Sequence, residues 1–515
     1  MRSRLASSRR CSSLATLLGG AVIAFIAPFA VPVMLAVASA ESGAATPPPA
    51  PHAASPAMDA AGRAAAERLI GAALGDEHAL LRLSQLCDGI GHRLSGSEQL
   101  DRAVAWAAAS MREDGLDGVR LQPVMVPHWI RGEEHAEMVV PGPQALSILG
   151  LGRSVGTPPG GITADVVVVS GFDELDAMPD SALRGRIVLY DVPFKSYGET
   201  VRYRGEGADR ASRHGAVAAL VRSVGPVSLR TPHTGAMHPY ADSLAHIPAA
   251  AVTIEDATMM HRLLARGERV RVHLEMGAKT LDDAPSHNVI GELRGRERPD
   301  EVVVVGGHLD SWDVGQGAQD DGGGCVISME ALRLMKRLGL RPRRTVRVVL
   351  WVNEENGLRG AQAYADSLHG DVSRHVAAIE SDGGVERPVG FAISVHVPAA
   401  DSVDRPRLAR AVAVLRELAP VFAGLGADRM TDDGGDADIS PLMALGVPGI
   451  AHRTTGEHYF DWHHTRADML DKVDPVELRK NVAALAALVY LVADMPDRFG
   501  GPNPAPRQTP PAGRR

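Results

Sequence analysis

The sequence predicts an α/β fold in which a largely parallel sheet is covered by helices, with a second, smaller α/β unit ahead of it. Apolar, β-branched runs at 301–306 and 345–352 read as buried strands. A helical stretch at 325–338 separates them, giving the strand–helix–strand order of a parallel sheet. Upstream, short β-branched runs at 164–170, 185–191 and 270–274 alternate with helical stretches at 208–214 and 255–266. The length of 515 residues exceeds what one hydrophobic core usually serves, so two folded units with terminal extensions are expected.

Along the chain, Arg2, Arg4, Arg9 and Arg10 precede an apolar stretch from about 14 to 37 that ends in Ala38-Ser39-Ala40. This is the layout of a secretory signal peptide over 1–40, cleaved after Ala40; Pro28 and Pro32 interrupt the stretch and argue against a retained membrane anchor. Residues 41–57 are mostly Ala, Pro, Ser and Gly with almost nothing to bury, the composition of a disordered linker. The region 58–125 reads as two or three helices broken at Gly71, at Gly75 and over 87–96, where Asp88-Gly89 and Ser95-Gly96 mark turns. The second α/β unit is assigned to 126–276. The larger domain, 277–499, opens at Ser286-His287-Asn288-Val289 and closes with helices at 405–418 and 475–493. A Pro-rich tail, 500–515, is expected to be disordered, and no internal repeat is present.

With 45% hydrophobic and 23% charged residues the composition is globular, and a formal charge of -8 offers no basic surface for nucleic acid. Cys11 lies in the leader, so a mature chain carries Cys87 and Cys325, too few for a disulfide framework or a thiolate metal site. Whether those two pair is left open. Glu301, Arg341, Arg343 and Arg344 read as surface charge.

The chemistry concentrates at strand ends. The run 302–305 leads into Gly306-Gly307-His308-Leu309-Asp310, beyond the carboxyl end of a strand, where open α/β sheets place their sites. Asp320-Asp321-Gly322-Gly323-Gly324 follows, and its glycines allow a tight turn ahead of the helix so that a carboxylate can point back toward His308. The run 346–352 ends in Asn353-Glu354-Glu355, whose paired side chains diverge and invite two roles. The run 376–379 ends in Glu380-Ser381-Asp382, and His463-His464-Thr465 comes late in the chain. One strand-end Asp or His is commonly a cap or turn residue, and paired glutamates are commonly a solvated edge. Several carboxylates converging on one sheet edge would repel each other, and bound cations resolve that repulsion.

In combination these motifs resemble those of the co-catalytic two-zinc aminopeptidase/carboxypeptidase family of metallopeptidases. The motifs that carry the resemblance are the run from Gly306 to Ala318, Asp320 to Gly324, Leu350 to Glu355, Glu380-Ser381-Asp382 and His463-His464-Thr465; it covers about 60–495. It implies a zinc-exopeptidase, aminopeptidase-like mixed sheet flanked by helices. It also implies that Asp320 bridges two Zn2+ ions, that His308 and Asp382 complete one, and that Glu355 and His464 complete the other. Glu354 would be the general base, and Asp310 the carboxylate that hydrogen-bonds His308 and fixes its orientation. His464 is preferred to His463 because the family's ligand precedes a small hydroxyl residue, here Thr465. His463 occupies a place where some relatives carry a tyrosine. Asp432-Asp433 and Asp436 to Asp438 read as a solvated or capping loop, and His452 and His458 as weaker candidates.

The segment around Arg184 to Tyr190, with 211–220 and Ile247 to Val252, is similar to the protease-associated α/β domain often inserted in this family, and is expected to shade the cleft and favour short peptides. A homodimer acting on dipeptides or short peptides is implied by the resemblance, with no nucleic-acid partner and no membrane attachment after leader cleavage. Two other readings share the fold: a one-zinc glutaminyl cyclase, which the five filled ligand positions disfavour, and a receptor-like binding protein, which would leave a competent site idle.

Overall fold

The computed structural model describes residues 58–502 apart from 242, 396–403 and 436. The expected leader and linker, and all but the first three residues of the expected tail, lie outside the described residues.

Three helices come first, Ala60–Leu74, His78–Cys87 and Glu98–Glu113. Asp59 and Ser97 cap the first and third by accepting from the amides of Gly62 and Leu100. Gly71, expected as a break, lies inside the first helix on its exposed side, and the helix ends at Gly75. An interior glycine costs only about 1 kcal/mol relative to alanine. Burial of Ala66, Leu69 and Ala73, on a helix that packs against the last one, Pro475–Asp494, outweighs it.

The first sheet has eight strands, in the order Asp117–Ile130, Lys279–Leu293, Arg344–Trp351, Arg298–His308, His375–Glu380, Gly449–Thr454, Pro388–Ser394 and Arg429–Thr431. The third to sixth in that order are parallel. Antiparallel pairings on both sides make the whole sheet mixed. The valine run 302–305 explains why its strand sits at the centre. Val303 and Val305 face the core under the helices Gly323–Arg337 and Pro475–Asp494, while Val302 and Val304 face a second core with Trp351 and Tyr364.

The second unit is present as an eight-stranded sheet running from Glu134 to Met276 in the chain. Its middle strands, Ile162–Val169, Ile187–Tyr190, Ala218–Arg222 and Ala249–Val252, are parallel, and it has two cores of its own. The expected boundary at 126 falls inside Asp117–Ile130, which pairs with Lys279–Leu293 in the first sheet through Val124↔Ser286 and Trp129↔Thr280. That strand is largely exposed, so its sequence lacks the apolar alternation that would have marked it. The helix expected at 208–214 begins much earlier, at Tyr197, because Ser196 caps it and a stripe of Thr200, Arg204, Gly207, Ala208 and Ala211 is buried. Gly198, Gly205 and Gly207 mask that helix in the sequence.

Arg344 is a further correction: it is fully buried, donating from Nε to Glu301 at 2.5 Å and from Nη1 to the Met495 carbonyl at 2.6 Å. Cys87 and Cys325 are both buried and both free. Among the described residues no helix is long and apolar enough to cross a membrane.

Candidate metal centre

Three neighbouring parallel strands bring the carboxylates and His308 together. His308 ends the strand Arg298–His308 and stands in register with Trp351, while Gly306 stands beside Glu380. The segments that follow these strands, with Glu354, Glu355 and Asp382, therefore emerge at the same sheet edge. Asp320 lies in the turn before the helix Gly323–Arg337, and His464 follows the short helix Tyr459–Trp462 with a left-handed φ of 60°.

Asp320 is the hub. Its Oδ1 lies 3.2 Å from His308 Nε2, and its Oδ2 lies 3.2 Å from His464 Nε2. His308 Nε2 is also 3.3 Å from Asp382 Oδ1, and His464 Nε2 is 3.0 Å from Glu355 Oε2. The five expected ligand residues thus form two clusters sharing one carboxylate. Buried Asp320 Oδ2 has no donor in hydrogen-bond geometry, although two imidazole nitrogens converge on it. Imidazole and carboxylate donors without thiolate suit zinc, so the residues present fit the metal that the sequence implies.

Orientation comes from a second ring of contacts. His308 Nδ1 donates to the carbonyl oxygen of Asp310 at 3.0 Å, which leaves Nε2 facing the two aspartates. The Asp310 carboxylate, expected to make that bond, is 3.9 Å from Nδ1 and instead accepts from the amides of Glu354 at 3.1 Å and Glu355 at 3.3 Å. It joins two strand ends rather than one imidazole. Asp321 accepts from the amides of His308 and Gly324, and a Cβ at Gly307 would sit 2.1 Å from its Oδ2, so only glycine leaves room for that approach.

Two contributors escaped the sequence reading. Asp468 accepts from the amides of Ala318 and Gln319 through Oδ1 and from Asp320 through Oδ2, at 2.8–3.2 Å. Arg93 is fully buried and donates to the carbonyls of Leu309, Gln316 and Gly317, holding the loop between His308 and Asp320. Asp468 stands four residues after His464, a weak signal that could have been noticed; nothing local marks Arg93.

The electrostatics match a cation site. Burial opposes protonation of His308 and His464, yet Asp382 and Asp320 around the first, and Glu355 and Asp320 around the second, raise both well above the ordinary histidine range. Burial and Asp320 push Glu355 up to about 7. Glu354 keeps some solvent contact, but burial by its surroundings, with Asp382 and Glu355 nearby, raises it well above the usual carboxylate range.

His463 is also brought in: its Nε2 is 3.4 Å from Asp320 Oδ2, and its ring stacks on His464 at 3.6 Å. With Asp320 and His464 it forms a compact group of ligand-type atoms, while the ion pair with Glu355 is made by His464. Asp438 corrects the reading of a solvated loop. It is 1% exposed, its amide donates to Glu380, and burial and the neighbouring Asp310 and Asp382 raise its carboxyl well above the usual range. His458 is exposed beside Asp461, and buried His452 contacts Ser381 Oγ. Asp436 lies outside the described residues.

Residues 288–489 match the model of peptidase family M28. Carboxypeptidase Q from Mus musculus is 44% identical over 414 residues, covering 80% of this chain and 85% of that protein. The Homo sapiens protein of the same name is 43% identical with the same coverage. Among solved structures, a peptidase M28 precursor from Shewanella amazonensis superposes with a TM-score of 0.79 at 35% identity, covering 88% of this chain and all of the other. A zinc aminopeptidase from Bacillus subtilis shares the fold, with a TM-score of 0.59 at 22% identity over 82% of this chain and 98% of the other.

Proposed function

Because the chain belongs to peptidase family M28, we propose that it is an exported zinc exopeptidase that hydrolyses dipeptides or short peptides with two Zn2+ ions per subunit. The observation that carries this reading is the pair of side-chain clusters joined at Asp320. His308 and Asp382 would hold one ion, Glu355 and His464 the other, and Asp320 both. When bound, zinc supplies Lewis acidity, polarising a carbonyl and acidifying water toward a pKa of about 7.

The chain's own residues supply the rest. Glu354 takes a proton from the attacking water and returns it to the amine nitrogen as the peptide bond breaks, a cycle suited to a carboxylate whose pKa is raised. Asp310 holds the backbone amide of Glu354 and so places that base. On the far side, Tyr197 of the second unit stacks on Phe460 at 5.1 Å and meets His463 edge-on at 5.1 Å. Closure of one side of the site by that unit, in the manner of a protease-associated domain, supports short substrates over long chains.

Glu354→Gln tests the assignment. The variant is expected to keep its zinc and lose at least ~100-fold in kcat on dipeptides and aminoacyl amides; unchanged turnover overturns the role of Glu354. N-terminal sequencing of the secreted chain checks cleavage after Ala40. The homodimer, inherited from the resemblance, is checked by light scattering.

A further inference from the structure

His464 is oriented from outside its own sheet. Its Nδ1 lies 3.3 Å from the carbonyl oxygen of Thr234, and its own carbonyl accepts from the Thr234 amide at 2.9 Å. Thr234 belongs to the second unit, in the segment between the strands Ala218–Arg222 and Ala249–Val252. An imidazole that offers Nε2 to a metal carries its proton on Nδ1, and a carbonyl acceptor there selects that tautomer and fixes the ring plane.

The Thr234 carbonyl is itself held. Arg204 Nη1 donates to it at 3.1 Å and lies 3.3 Å from His464 Nδ1, while Nη2 donates to the Tyr197 hydroxyl at 2.7 Å. Arg204 lies on the buried stripe of the helix Tyr197–Arg213 and is 7% exposed. Its guanidinium packs against Gly235, where an added Cβ would come within 2.2 Å of Cζ. A buried arginine is costly to desolvate, and its planar fork matches two acceptors at a fixed separation.

We propose that Arg204 is a positioning residue of the metal centre: with Thr234 it sets the ring of His464 from the second unit, so that unit helps to build the zinc site it covers. This rests on the two-zinc reading above. Without Arg204 the Thr234 carbonyl loses a charged donor, and the acceptor that fixes the His464 ring toward Asp320 and Glu355 is held less firmly.

The test is zinc affinity, measured on the whole chain by competition with a chromophoric chelator, with circular dichroism as the check on folding. In Arg204→Met, one of the two zinc dissociation constants is expected to rise about 10- to 100-fold while the other is unchanged. In a His464→Ala background, which lacks the same ligand, Arg204→Met is expected to add nothing. Arg204→Lys, which keeps one donor and the charge, should recover part of the loss. Tyr197→Phe removes only the anchor of Nη2, and a severalfold weakening of the same site is expected; it carries the test if Arg204→Met does not fold. Wild-type affinities in folded Arg204→Met, or in Tyr197→Phe should Arg204→Met fail to fold, overturn the proposal. A wild-type chain that binds no zinc overturns the two-zinc reading instead.

Discussion

Asp310 illustrates how much one carboxylate can organise. Its carbonyl orients His308, and its side chain ties down the amides of Glu354 and Glu355, so it links the neighbouring strand ends that carry the proposed metal donor and the proposed base. Asp310→Asn should keep zinc but misplace Glu354, because one amide N–H would then face an amide NH2. A fall of about 10- to 100-fold in kcat with zinc content unchanged is expected, read by steady-state kinetics on a dipeptide. Two buried histidines outside the proposed ligand set, His375 and His452, contribute to acid sensitivity. Burial, with Arg347 and Arg498, lowers His375 to about 3, and burial with Arg453 lowers His452 to about 4. Neutral His375 can accept from the Tyr364 hydroxyl, 3.1 Å away. Both are depressed below the ordinary value of 6.5, so the unfolded chain takes up these protons first. Their contribution is complete above pH 6.5 and is lost as pH falls toward 4, at up to about 1.4 kcal/mol per pH unit per group. Urea midpoints at pH 7, 6 and 5 should fall, and His375→Gln should flatten that slope.

At the level of elements, the site is a product of strand ends and of the loop that joins His308 to Asp320. Arg93 pins that loop through three carbonyls; Arg93→Met would remove the donor to the Leu309 and Gln316 carbonyls, at about 1–3 kcal/mol for each buried acceptor left unpaired, while the Gly317 carbonyl keeps the Gly322 amide. A large drop in the thermal midpoint, with weakened zinc binding, is expected in calorimetry and chelator competition. The central strands were legible because apolar runs buried on both faces end abruptly in Gly-His-Leu-Asp, Asn-Glu-Glu and Glu-Ser-Asp. The helix Tyr197–Arg213 was only half legible, since glycines interrupt its buried stripe. Arg93 and Asp468 were hardly legible as struts: the site partners they hold lie about 150 to 224 residues away, and no local periodicity encodes a polar contact at that separation. Arg344 was misread for the same reason, because it stands among exposed Arg341 and half-buried Arg343 while its own partners are Glu301 and the Met495 carbonyl.

At the scale of the whole molecule, two α/β units meet where Thr234 and His464 exchange contacts, and the metal centre draws on residues from His308 to Asp468 as well as Arg93. Folding of the larger domain and formation of the site are therefore linked. Zinc bound only to the folded chain stabilises it by about 4 kcal/mol per site at a thousandfold excess over its Kd. Dialysis against a chelator should lower the thermal midpoint, and restoring zinc should recover it. The most direct test of the two-zinc site is the metal content of the purified chain, counted by plasma mass spectrometry against protein concentration. Two zinc ions per chain are predicted, and one ion or none would contradict a centre built on Asp320 as the shared ligand.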